Sequence, residues 1–319
     1  MSQAEAIGVD LGGTKMLLGV LDSDAKPVWE SRERSAGESE DELVELLVRE
    51  VEEARAARAG IEAIGMGIPA TIDHEKGLAV AAVNLPIENL PIRDLVVERT
   101  GLPTFVDNDA NVAALAEHLF GAARGTRNAV MLTIGTGIGG GLILGGEIYR
   151  GSTGAGAELG HMAIQMDGPG CQGNCPNRGC VEALASGTAL GREGRAAAES
   201  EPDSALGELL AEGLEVDGKA VTEAAQAGDG TAIGVFDLIG GRLGVALASY
   251  ANIFEPEVIV VGGGVMAAGD LLLDPARREL ESRALRPMNR TPVVAAELGA
   301  DAGMIGAAAM ARIELERDG

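Results

Sequence analysis

Short apolar runs closed by glycine alternate along this chain with longer stretches whose apolar residues recur every three or four positions. The runs at 6–10, 16–21, 63–67, 104–106, 129–134, 141–144, 257–261 and 292–296 predict strands. Residues 27–34 predict a further strand, and 148–150 extend a sheet. Leu43, Leu46, Leu47 and Val51 fall on one face of a helix predicted over 38–59, with an acidic outer face. Helices are also predicted over 110–120 and 302–315, a mainly helical region over 181–250, and a helix over 266–285 interrupted near Pro275. Strands alternate with helices, so the fold class is α/β.

The strand, glycine turn and strand at 6–21 return at 129–144. This weak duplication predicts two related halves facing one cleft. The 319 residues suit two domains. The expected division is 1–116 plus 303–319 for a small N-terminal α/β domain, and 117–302 for a larger C-terminal one. Aromatic residues make up only 2% of the chain, so Ala, Val, Leu and Ile must fill its interiors.

A net charge of −24 opposes nucleic acid and anionic lipid as partners. Self-repulsion of that size is best tolerated in concentrated salt, where the Debye length shrinks to about 3 Å, and a halophilic cytosol is expected. No uninterrupted apolar run reaches the ~18 residues that span a bilayer, and the first residues show no signal-peptide pattern. A cytoplasmic chain with no membrane partner is therefore expected.

Two glycine turns carry the first chemical signal. They are Asp10-Leu11-Gly12-Gly13-Thr14-Lys15 and Thr133-Ile134-Gly135-Thr136-Gly137. Backbone N–H groups at Gly12, Gly13 and Gly137 can converge on phosphate oxygens, because no Cβ blocks the approach. Thr14 and Thr136 add hydroxyl donors, and Asp10 at a strand end can hold Mg²⁺ through water. Gly135-x-Gly137-x-x-Gly140 matches a dinucleotide fingerprint, but that needs a helix next, and Gly141-Leu142-Ile143-Leu144 predicts a strand. A third turn, Gly262-Gly263-Gly264, runs from strand into helix and can bring backbone close to a flat base or a phosphate.

Between the first two turns stands Val106-Asp107-Asn108-Asp109-Ala110-Asn111. Asp109 falls at a strand end and a helix start, where an ionised carboxylate is favoured and can accept a hydroxyl proton. Asn108 and Asp109 are equally suited to capping that helix. Glu158, His161 and Glu182 offer acceptors and a donor for neighbouring sugar hydroxyls. His161, Cys171, Cys175 and Cys180 form a Cys₃His set suited to structural tetrahedral Zn²⁺, and an odd thiol count argues against a disulfide framework. Phosphate turns with a hydroxyl-facing acid point to phosphoryl transfer onto an alcohol.

Together these motifs resemble the ROK family of sugar kinases and repressors, and within it the bacterial and archaeal glucokinases. The resemblance runs from Ile7 to the last predicted helix. It rests on 10–15, 108–111, 132–141, Glu158-Leu159-Gly160-His161, and Cys175 to Glu182 in a Cys-x₄-Cys-x-Glu pattern. It implies an actin/Hsp70-like (ribonuclease H-like) two-domain sugar kinase fold with a cleft between the domains. It implies Asp109 as base for the 6-hydroxyl of glucose, and Asn108, Glu158, His161 and Glu182 as sugar-binding residues, His161 also reaching zinc by its other ring nitrogen. Gly12, Gly13, Thr14, Lys15, Thr136 and Gly137 would line the path of the ATP phosphates, and Gly263 and Gly264 would lie against the adenosine. A homodimer or homotetramer is implied too. The same reaction on fructose, mannose, N-acetylmannosamine or N-acetylglucosamine stays open, as do ADP or polyphosphate as donors. The family's repressors carry a helix-turn-helix ahead of the first glycine turn, and a strand starting near Ile7 leaves no room for one. The spacing Cys171-Gln172-Gly173-Asn174-Cys175 is two residues longer than the family's usual Cys-x-Cys, with Pro176 in place of glycine, which leaves the part of Cys171 in the ligand set open.

Overall fold

The computed structural model describes residues 5–12, 15–22, 25–33, 39–82 and 85–318. They form two compact units. One comprises Met1–Gly125, Gly141–Ala157 and Glu297–Gly319, and the other Thr126–Gly140 and Glu158–Ala296.

The first unit opens with β1 (Glu5–Leu11), β2 (Met16–Leu21), β3 (Pro27–Glu33), α1 (Glu40–Ala57) and β4 (Ile61–Ile68). A small hairpin sheet follows, β5 (Ala70–Asp73), β6 (Leu78–Ala82) and β7 (Glu88–Leu90). Then come α2 (Ile92–Thr100), β8 (Thr104–Asn108) and α3 (Asp109–Phe120). The chain enters the second unit at β9 (Ala129–Ile134), and β10 (Ile138–Leu144) leads into β11 (Glu147–Ile148). The second unit continues with α4 (Val181–Ala185), α5 (Gly187–Ser200), α6 (Ala205–Ala211), α7 (Gly218–Gln226), α8 (Gly230–Phe254), β12 (Val258–Gly262), α9 (Asp270–Arg283) and β13 (Val293–Ala295). α10 (Ala302–Asp318) completes the first unit.

The first sheet has the order β3-β2-β1-β4-β8, with β1, β4 and β8 parallel and β2 and β3 antiparallel. β1, β2 and β4 are apolar on both faces because helices cover both, while the edge strand β3 is polar and largely exposed. α1 and α2 close one face over a core that includes Ile7, Val9, Leu43, Leu47, Ile64 and Val96. α10 lies on β1 and β4, and α3 packs on α10. A side chain at Gly8 would stand 2.0 Å from the Met304 carbonyl oxygen, and one at Gly65 1.9 Å from that of Ala307. Backbone thus lies directly on backbone, and an interior built this way has little use for aromatic rings.

The second sheet has the order β11-β10-β9-β12-β13, with β9, β12 and β13 parallel. Both five-stranded sheets begin with strand, glycine turn and strand. Residues 141–157 join the first unit, where the ideal Cβ of Gly141 falls 2.5 Å from Ala114 of α3.

The structure departs from expectation at several points. β5, β6, β7 and α2 come from short stretches with no clear period. Residues 264–268 form a 3₁₀ turn, so α9 starts at Asp270 rather than Met266. α9 is not interrupted near Pro275: the ring packs where α8 presents Gly240, whose Cβ would fall 2.4 Å from it. α8 has the length and apolar composition to cross a membrane, which no uninterrupted run reveals because Asp237 and Arg242 lie within it. Over half of its apolar window is buried, against α9, α5 and α4.

Candidate active site

Strand register gathers the acids of the first unit. Asp10 of β1 pairs with Gly67 of β4, and Gly67 with Asp107 of β8, so all three stand at the carboxyl ends of parallel strands. Ligands of α/β sheets bind at such ends. α3 begins there. Asn108 is its N-cap, its Oδ1 accepting from the N–H groups of Ala110 (2.9 Å) and Asn111 (3.4 Å). The Asn108 side-chain amide donates to the Ala70 carbonyl at 3.3 Å. The capping role expected of Asn108 is therefore real, and its side chain also hydrogen-bonds the Asp109 carboxyl.

Asp109 is the first residue of α3, with Oδ1 accepting from the Ala110 N–H at 2.9 Å. Burial pushes its carboxyl pKa up, while the hydrogen bonds from Ala110 and Asn108 pull it down. A carboxylate made more basic in this way is a better proton acceptor near neutral pH. Asp10 is raised to about 6, first by burial and then by the charge of Asp109, with Lys15 opposing. The Asp10 carboxyl lies on the first turn of α10: a Cβ on Gly303 would stand 2.6 Å from its Cγ. Lys15 is exposed, and its carbonyl accepts from the Gly12 N–H at 2.8 Å, closing the turn. Gly13 and Thr14 lie outside the described residues.

The raised Asp10 pKa has a consequence for stability. An acid whose folded pKa exceeds its unfolded value of 3.8 stabilises the fold fully below that value, and this contribution is lost as pH rises through about 6. In the absence of ligand, Asp10→Asn is expected to gain on the parent chain by on the order of 3 kcal/mol between about pH 4 and about pH 7.5. Denaturant melts of both chains check this, and a constant difference across that range would show that the carboxyl is not desolvated.

Asp107 is fully buried and holds three donors. Its Oδ1 accepts from the Asn108 N–H and from Asn111 Nδ2, both at 2.8 Å, and its Oδ2 from Arg150 Nε at 2.6 Å. Removing one partner from such a pair typically costs about 3–5 kcal/mol. Sequence reasoning missed Arg150, which stands 43 residues from its partner.

In the second unit Cys180 caps the short α4, and Glu182 lies in that helix's first turn. Glu182 Oε2 accepts from the Ile138 N–H at 2.8 Å, and Oε1 lies 3.6 Å from the Cys171 sulfur. Gly137 presses on the same carboxylate, its ideal Cβ falling 2.4 Å from Oε2. His161 Nε2 faces Glu158 Oε2 at 3.9 Å, while its Nδ1 faces Cys171 Sγ at 3.4 Å. The Cys175 and Cys180 sulfurs are 3.9 Å apart, and the four donor atoms all lie within 4.8 Å of one another. A tetrahedron of Zn–S and Zn–N bonds has edges of about 3.8 Å between sulfurs and about 3.5 Å between sulfur and nitrogen. The Cys171–His161 and Cys175–Cys180 separations match those edges, and Cys171 stands among the four donors despite the longer spacing. Burial pushes the Cys171 and Cys180 thiols up. A dication among such thiols favours their ionised form.

A cavity of about 890 Å³ lies within the second unit. Its walls include Gly135 and Thr136 of the turn after β9, Thr188 and Arg195 of α5, Asp217 and Gln226 at the two ends of α7, and Gly264. α5 and α7 both begin at this cavity, capped by Ser186 and Asp217. Helix N-termini favour anions. Thr188 Oγ1 and Gln172 Nε2 donate to the Thr136 carbonyl at 2.9 and 3.2 Å. Gly264 lines the cavity, whereas Gly263 packs on the Ile134 backbone, 2.4 Å from ideal Cβ to carbonyl oxygen. Gly137 borders Glu182 instead of the cavity. Arg195, Thr188 and Gln226 carry no motif and could not be found from the sequence.

The ROK family sequence profile matches residues 6–314 of this chain. A glucokinase from Thermotoga maritima is 37% identical over 315 residues, covering 97% of this chain and 98% of the relative. The crystal structure of a ROK family glucokinase from Streptomyces griseus, in complex with glucose and AMPPNP, is 36% identical with a TM-score of 0.84, covering 97% of this chain and 99% of that one. A ROK family transcriptional regulator, a homolog of the E. coli MLC protein, has a TM-score of 0.85 at 27% identity. The match covers 95% of this chain and 76% of the regulator.

Proposed function

The chain belongs to the ROK family, with its actin/Hsp70-like α/β fold, and on that premise we propose that it is an ATP-dependent glucokinase. The observation that carries this reading is the start of α3, where a desolvated Asp109 carboxyl stands one residue past the Asn108 cap. Asp109 takes the proton from the 6-hydroxyl of glucose as the phosphoryl group arrives. The similarity to a glucokinase solved with glucose and AMPPNP supports both the sugar and the donor.

We assign the sugar hydroxyls to Asn108, Glu158, His161 and Glu182. His161 suits this because its Nδ1 faces the thiols and its Nε2 faces Glu158. We assign the nucleotide to the cavity at Thr136 and Gly264, with Gly137 and Gly263 shaping the adjoining turns. Gly12, Gly13, Thr14 and Lys15 are assigned to the phosphates, and Asp10 to a water-held Mg²⁺. Bound Mg²⁺ supplies neutralisation of phosphate charge. His161, Cys171, Cys175 and Cys180 are assigned to one structural Zn²⁺, supported by their spacing. That ion would fix the loop ahead of Glu182, and with four protein ligands it takes no part in the chemistry.

A cytoplasmic location and assembly into a homodimer or homotetramer belong to the same proposal. The charge of −24 opposes a DNA-binding role and favours a salt-rich cytosol. The test is a coupled turnover assay in molar KCl. It crosses glucose, fructose, mannose, N-acetylmannosamine and N-acetylglucosamine with ATP, ADP and polyphosphate. The highest kcat/KM is expected for glucose with ATP. A clear preference for another sugar or donor would overturn that half of the proposal.

A further inference from the structure

Arg150 belongs to no motif and to neither glycine turn, yet its side chain is among the least exposed of the cations, at 18%. It stands just past β11, where its carbonyl accepts from the Gly156 N–H at 2.8 Å, closing the glycine-rich loop that follows. Its Nε reaches Oδ2 of the fully buried Asp107 at 2.6 Å. Its terminal nitrogen lies 3.7 Å from Glu314 of α10, which also pairs with Arg317 at 3.3 Å. The other Asp107 oxygen bonds Asn108 on one side of Asp109 and Asn111 on the other. The carboxylate that Arg150 holds therefore brackets Asp109 from both directions along the chain.

We propose that Arg150 is a positioning residue for the Asp109 base, acting through Asp107; this rests on the assignment of Asp109 made above. Without the guanidinium, the Asp107 charge is buried and unpaired. It turns toward water, and its grip on Asn108 and Asn111 changes. The start of α3 then shifts, and the Asp109 carboxyl loses its alignment with the sugar hydroxyl. A misplacement of about 1 Å costs up to about 100-fold in rate. Nucleotide binding, assigned to the cavity of the second unit, has no reason to change.

The experiment compares Arg150→Met, Arg150→Lys, the double variant Asp107→Asn with Arg150→Met, and Asp109→Asn. For each, kcat, the KM for ATP and the thermal midpoint are measured. Arg150→Met is expected to lose about 10- to 100-fold in kcat with the KM for ATP held within about twofold. The double variant, whose neutral amide in place of the Asp107 carboxylate needs no cation, is expected to regain most of that loss. Arg150→Lys, which keeps the charge without the planar fork, falls between and carries the comparison if Arg150→Met does not fold. A folded Arg150→Met with normal kcat beside an inactive Asp109→Asn overturns the positioning role alone. So does a double variant no faster than the single one. An Asp109→Asn chain with normal kcat overturns the base assignment itself.

Discussion

Replacing Asp109 with asparagine is expected to lower kcat by about 10²- to 10⁴-fold, the usual worth of a general base, while glucose still binds. Asparagine keeps the size of the side chain and leaves an oxygen to accept from the Ala110 N–H, so the first turn of α3 stays in place. What disappears is the basic oxygen that burial had made readier to take a proton. Calorimetric titration with glucose and a coupled turnover assay on the same preparation separate the two effects. Turnover close to that of the parent chain would remove Asp109 from the base role. Loss of glucose binding along with turnover would make it a sugar ligand first.

The second large effect concerns the metal. Purified protein is expected to hold about one zinc per chain. Stripping it with a chelator, or replacing Cys180 with serine, is expected to cost on the order of 5 kcal/mol, or roughly 10 °C in thermal midpoint. Of the four assigned ligands, Cys180 is expected to matter most because it is also the N-cap of α4 and is itself fully buried. The same treatments are expected to weaken glucose binding, since Glu182 follows Cys180 by two residues and leans on Ile138 from that helix. Elemental analysis and melting curves check this together. An active protein that carries no metal after mild purification would dismiss the zinc assignment.

Much of this architecture was legible because its signals are local. The strands at β1, β4, β9 and β12 are apolar on both faces and close on glycine or, for β4, on proline, so neighbouring residues suffice to mark them. The Cys₃His set is compact in sequence and compact in space. Other parts were not legible, for a physical reason. β5, β6 and β7 are three to five residues long, β5 and β7 mix polar with apolar positions and β6 is apolar throughout, so no period develops. Arg150 and Asp107 meet only because the chain returns to the first unit after β10. Arg195 and Gln226 are exposed residues on amphipathic helices, where a polar residue reads as a solvated face, and only the structure shows that they border one cavity. Pro275 misled because the rule against proline in helices says nothing about a neighbour that has made room for the ring.

The longer reach from Cys171 to Cys175 has its own outcome. Its first residue, Gln172, extends a single amide to both the Thr136 carbonyl and the Ser186 hydroxyl, at 3.2 and 3.3 Å. The cysteine loop and the glycine turn after β9 are thereby spliced into one mechanical part. Slack introduced at the thiols travels along that splice to the turn, so a shortage of metal would register as a looser hold on the phosphoryl donor before any unfolding began.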